Sequence, residues 1–198
     1  MRIPEFPFRN MTLAVAFILA VISAALSSTG AAPTEPSSPD DQAASLAAWN
    51  EIATVLEHPR CLNCHQLNSP LQGDSRRVHV PHVVRGPEDQ GVGAMRCGNC
   101  HNNMGNNPTS GTPGGLNWKL APASMLWQGL SSGDLCRSVK DPKHNGNRDG
   151  AALIQHMNVL LVLYGWNPGK GREPVPIPYD KFVEDMKVWV AGGMACPN

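Results

Sequence analysis

The chain has 198 residues, with 16 basic against 16 acidic side chains and 41% hydrophobic residues. Balanced charge removes nucleic acid as a partner class, and the hydrophobic share excludes both a disordered chain and a polytopic membrane protein. With 19 Gly and 18 Pro, about 19% of the chain against roughly 12% on average, long loops and a thin core are expected.

At the N-terminus Arg2 and Arg9 precede an uncharged apolar run over residues 11–26, followed by small residues. That order predicts a secretory signal peptide over residues 1–31; an uncleaved N-terminal anchor is the alternative. Either way the remainder is exported, which predicts a periplasmic protein with its cysteines in an oxidising compartment. Residues 32–44, rich in Pro, Ser and Asp, read as a flexible leader, and residues 45–198 as one domain.

Apolar residues at Leu46, Trp49, Ile52, Ala53 and Leu56 predict an amphipathic helix over residues 44–56, ended by Pro59. Two copies of C-x-x-C-H follow, Cys61-Leu62-Asn63-Cys64-His65 and Cys97-Gly98-Asn99-Cys100-His101. This is the haem c attachment signature. Two thiols three positions apart face one side of a helical turn and can bond both vinyl groups of a haem, and the next residue offers its imidazole to the iron. Cys61, Cys64, Cys97 and Cys100 are therefore expected to hold two covalently bound haem c groups, with His65 and His101 as proximal iron ligands. A zinc site would have its C-x-x-C pairs about 15–20 residues apart, whereas 32 residues separate Cys64 from Cys97. A thioredoxin-like site would need a βαβ pattern, and none is visible.

The polar segment 72–82 reads as a loop and contains His79 and His82. Residues 102–115 are a second, Gly/Pro/Asn-rich loop. Ser131 or Ser132 caps a short helix carrying Leu135, Cys136 and Val139. Over residues 149–160, Leu153, His156, Met157 and Leu160 recur at helical spacing, which places His156 on an apolar face. Residues 166–178 are irregular, and Tyr179–Ala191 closes the chain as a helix with Phe182, Val183, Met186 and Val190 on one face and Trp189 beside it. No segment alternates like a strand. The fold class is mainly α, a single compact cytochrome c-like dihaem domain with long Gly/Pro-rich loops.

The distal iron ligands are open. His156 and His79 lead, with Met157 a rival to the first; His58, three residues before Cys61, is an alternative, then His82, while His144 reads as a solvated turn residue. Arg76, Arg77, Arg85 and Arg96 surround the motifs and are either haem-propionate partners or solvated surface. Cys136 and Cys196 remain, and in an oxidising compartment they pair most simply as a disulfide closing a loop of about 60 residues. Free thiols or a lipid link are the alternatives.

The segments His58-Pro59-Arg60-Cys61 through His65, Arg85-Gly86-Pro87, the second motif, Trp118-Lys119-Leu120-Ala121-Pro122, Leu135-Cys136-Arg137, Lys140-Asp141-Pro142, His156 and Gly165-Trp166-Asn167-Pro168-Gly169 resemble a family of exported bacterial dihaem c proteins, often labelled isoquinoline 1-oxidoreductase subunit. The resemblance covers most of the exported region. It implies histidines in family positions at His58, His79 and His156, but not at His82 or His144. It also implies that electrons arrive from a periplasmic hydroxylase. No residue here points to a molybdenum or substrate site of the chain's own. The function expected is electron carriage between a dehydrogenase or other oxidoreductase and a respiratory acceptor, with redox proteins as partners and a membrane only if the N-terminal segment stays attached. The rivals are a haem enzyme or gas sensor with one five-coordinate iron, and an electron-transfer subunit of a larger complex.

Overall fold

Helix α1, Pro39–Leu56, begins the described part of the chain. The computed structural model describes residues 38–102, 106, 107 and 109–198, so the predicted signal segment and the first part of the leader lie outside the described residues. The leader prediction over 32–44 is corrected at its end. Ser38 caps the helix through a reciprocal box with Asp41, Pro39 sits in the first turn, and Asp40 and Asp41 face the positive end of the helix dipole. Pro and Asp, which resemble linker composition, are here N-terminal helix residues.

The architecture is mainly α. After α1 come α2 (Pro59–Leu62), a hairpin of β1 (Leu71–Gln72) and β2 (Arg77–Val78), two 3-10 turns, and α3 (Cys97–Cys100). Then follow α4 (Ser132–Lys140), α5 (Pro142–Asn145), α6 (Gly150–His156), α7 (Leu160–Leu163) and α8 (Tyr179–Ala191). Pro59 does not stop α1, which ends at Leu56; it opens α2, where its missing N–H costs nothing. The antiparallel hairpin, with Leu71 opposite Val78, occupies the segment read as loop.

The core lies where α1 packs on α8. From α1 come Trp49, Ile52 and Val55, and from α8 Phe182, Met186 and Trp189, all fully buried. Trp189, expected beside the apolar face, is its centre, with its ring centroid 5.1 Å from that of Trp49. Buried Ser45 on α1 donates to Trp189 O (2.9 Å) and accepts from Ala195 N (3.0 Å), so one hydroxyl joins both ends of the interface. Gly192 completes it, because a Cβ there would strike the Asp41 carbonyl of α1. Helix α4 adds Leu135, Val139 and the fully buried Cys136, which is disulfide-bonded to Cys196, 60 positions on. Ser131 is the α4 cap, accepting from Asp134 N.

The stretch read as one helix over 149–160 is broken. Helix α6 stops at His156, and the Tyr179 hydroxyl bonds Asn158 Oδ1 (2.6 Å) beside the break, while Leu160 is turned out to solvent.

Candidate haem-binding site

Both C-x-x-C-H motifs sit on single helical turns, α2 with the residues after it and α3. The first turn is anchored in the core by buried Leu62, with Cys61 packed against the same cluster. The second has no buried neighbours of its own kind. It is positioned by backbone: Cys97 N donates to Gln90 O (2.8 Å), Gly91 N to Arg85 O (2.7 Å), and Leu120 N to Asp89 O (2.9 Å). Gly86 and Gly91 have φ of 65° and 82°, and at either a Cβ would collide with backbone oxygen. Only glycine fits that turn.

The chain then returns to the first motif, with Ala121 N donating to Cys64 O and Trp127 N to His65 O. Between the motifs lies a cavity of about 440 Å³, lined by Cys64, Cys97, Cys100, His79 and His101. Its size is within the range of cofactor sites. Cys61 and Cys64 are buried, which pushes their thiols up to about 12 and about 11, and the nearby Cys97 contributes to the latter. They stay protonated at neutral pH. Among the described residues no group of three or more His, Cys, Asp or Glu side chains is placed to hold a metal ion. A haem needs no such group, since the protein supplies two axial ligands at most.

The histidines separate by their hydrogen bonds. His65 Nδ1 lies 2.7 Å from Met125 O, His101 Nδ1 2.5 Å from Pro113 O, and His79 Nδ1 2.8 Å from Pro81 O. A carbonyl only accepts, so each Nδ1 carries the proton and each neutral ring keeps an Nε2 lone pair for a metal. His58 is the reverse. Its Nδ1 accepts from Arg60 N (3.2 Å) as the N-cap of α2, which leaves the proton on Nε2. The resemblance and the sequence position offered His58 as a distal ligand; in this structure its lone pair is committed to a helix cap.

One motif histidine, His101, has a second histidine beside it. The His79 and His101 ring centroids are 6.1 Å apart. His156 lies close enough to His65 to help, after burial, in pushing its pKa down to about 3, and His79 acts in the same direction on His101. His82 and His144 are exposed, the latter 3.7 Å from Asp141.

Sequence reading missed the tryptophans. Trp127 stacks on His65 at 3.2 Å and 13°, and Trp118 stacks on His101 at 4.5 Å and 5°. Each ring fixes the plane of an imidazole whose Nδ1 is already tethered. Stacking partners 17 and 62 positions away carry no spacing signal.

Of the four arginines singled out, Arg77 and Arg96 line the cavity. Arg85 does not: its guanidinium is taken by Leu67 O, Ala121 O, Gln66 O and Asp89, a clamp on backbone. Arg76 stands off the wall, half-buried, in a positive-φ turn position. The buried cation on the wall is Arg60, paired with Asp74 and 3.2 Å from Tyr164 Oη, whose Nε has no partner. A carboxylate fits that orphaned donor, as a haem propionate would.

No protein family, curated protein or solved structure matches the chain.

Proposed function

We propose that the chain is an exported, periplasmic dihaem c-type cytochrome that carries electrons between an oxidoreductase and a respiratory acceptor. The observation that carries this reading is the repeated histidine arrangement. Each C-x-x-C-H imidazole has its Nδ1 held by a backbone carbonyl and its face held by a tryptophan, and His101 has a second histidine alongside. On this reading His65 and His156 ligate the first iron, and His101 and His79 the second. Cys61, Cys64, Cys97 and Cys100 supply the thioether links. When bound, haem supplies a one-electron Fe(III)/Fe(II) couple.

The chain's own residues would do the rest. The Nδ1–H to carbonyl bonds set the tautomer and ring direction and raise ligand basicity. Arg60 holds a carboxylate in a buried place. Two protein ligands per iron leave no position for substrate, which is why carriage is favoured over catalysis. The resemblance to isoquinoline 1-oxidoreductase subunits supports an exported hydroxylase as the electron donor.

The test starts from the purified, exported holoprotein. Mass and pyridine haemochrome analysis should give two haems c per chain. Low-temperature EPR of the oxidised form should show two low-spin signals, and His79→Ala or His156→Ala should each convert one to high spin. A wild-type high-spin signal that shifts with cyanide would overturn the carrier in favour of an enzyme or sensor. Spectra unchanged in both variants would overturn the ligand pairs.

A further inference from the structure

His101 is held by more than its tether. A histidine ring turns about a broad torsion, and a hydrogen bond to a carbonyl narrows that turn only loosely. His101 Nδ1 lies 2.5 Å from Pro113 O, which settles which edge of the ring faces the backbone. Trp118 settles the plane, because its indole lies on the imidazole at 4.5 Å with the two rings only 5° apart. Trp118 is itself braced. Tyr164 meets it edge-on, at 4.9 Å and 71°, and the Tyr164 hydroxyl accepts from Nη1 of buried Arg60 at 3.2 Å. Two residues on, Leu120 N donates to Asp89 O and fixes the chain that carries the indole.

His79 is held from elsewhere. Its Nδ1 lies 2.8 Å from Pro81 O, within the segment that leaves β2. That tether is independent of Trp118. The His79 ring stands at 59° to that of His101, with centroids 6.1 Å apart. The two imidazoles that the dihaem reading assigns to the second iron are therefore crossed, and each is directed by its own segment.

Crossing has an electronic consequence. A bound imidazole donates π density to the iron d orbital that lies across its plane. Parallel rings act on one orbital and split it from its partner; crossed rings act on both and leave the pair close in energy. Fe(III) gains less from its ligands in the crossed case, so the potential rises. Axial ligands and the groups that orient them are the protein's levers on such a centre. We propose that Trp118 is a positioning residue for the second centre: by stacking on His101 it holds that imidazole across His79, and so sets the spectrum and raises the potential of that iron. The inference rests on the dihaem reading, with His101 and His79 as one pair.

The test is low-temperature EPR of the oxidised holoprotein, with the second centre identified as the low-spin signal that His79→Ala converts to high spin. In wild type that signal should be a single broad feature at low field, the form that crossed rings give. A three-line rhombic signal there, with both irons low-spin, would overturn the inference and leave the dihaem reading standing. Trp118→Leu keeps apolar bulk against Tyr164 but offers no plane to stack on. It should move the second signal to the rhombic form, lower the potential of that centre and leave the first signal unchanged. Trp118→Phe can still stack and should return both readouts towards wild type. An unchanged second signal in W118L, or a W118F signal displaced as far as that of W118L, would overturn the role of Trp118. Loss of the second haem from W118L would overturn it too, since Trp118 would then hold the site and not the plane. A purified exported chain without covalent haem would overturn the parent reading and this inference together.

Discussion

Helices α1, α4 and α8 and the segment from residue 84 to 119 bury their side chains in opposite ways. The helical region hides two tryptophans, a phenylalanine and a disulfide, and pairs the polar atoms of Ser45, of Trp49 (Nε1 on Ser132) and of Trp189 (Nε1 on Ala195 O). Between residues 84 and 119 no described hydrophobic side chain is buried, and Val84, Val92, Met95 and Leu116 are each at least 41% exposed. Its shape comes from backbone hydrogen bonds and positive-φ turns, which hold a conformation but bring no hydrophobic stabilisation. One region folds on its own side chains. The other has the second C-x-x-C-H motif in its middle, where the proposed haem would add the apolar contact that its described side chains lack.

The sharpest way to break this contrast is to remove the second attachment. Cys97→Ala with Cys100→Ala should halve the haem absorbance and abolish hydrogen-exchange protection from residue 86 to 120, while α1 and α8 amides keep theirs. Loss of protection in α1 as well would mean the two regions fold as one cooperative unit. The reciprocal change acts on the other side. Cys136→Ser with Cys196→Ser opens a loop of 60 positions and should cost about 4 kcal/mol by the chain-entropy relation. Urea unfolding followed by tryptophan fluorescence reads it, and the haem spectrum below the transition should stay unchanged.

Acidification probes the first-motif boundary between the regions. In the haem-free chain, with all four motif cysteines replaced by Ala, His65 is held neutral by burial, then by neighbouring His156 and Arg85, at about 3 against an ordinary 6.5. The unfolded chain binds that proton more readily, so stability is complete above pH 6.5 and falls as pH drops towards 3. His58 and His156 are shifted the same way by burial. A urea midpoint constant between pH 7 and pH 4 would contradict this placement of His65.

The same contrast decides what was legible in the sequence. Where local chemistry and burial agree, residue patterns carried through: both motif turns, the Ser131 cap, the bounds of α8 and the Cys136–Cys196 pair. Readings failed where a distant group intervenes. Residues 149–160 are helical by periodicity, but the break after His156 stands beside a hydroxyl arriving from Tyr179, and no window of 12 residues contains that. Trp118 and Trp127 reach their imidazoles only after the chain has turned back on itself.

The smallest effect concerns the start of α1, where composition suggested a linker. Ser38 Oγ accepts from Asp41 N at 3.1 Å, and Asp41 Oδ2 accepts from Ser38 N at 3.1 Å. If that box is a true helix start, Ser38→Ala should cost ~1 kcal/mol. The loss should appear in global urea unfolding, because Gly192 packs on the Asp41 carbonyl and Ser45 joins α1 to α8 one turn further on. A frayed leader would give no change. An intermediate outcome has a definite meaning too: lost protection at residues 41–44 alone, with the urea midpoint unmoved, would place the first turn outside the cooperative core and move the edge of the helical region to Ser45.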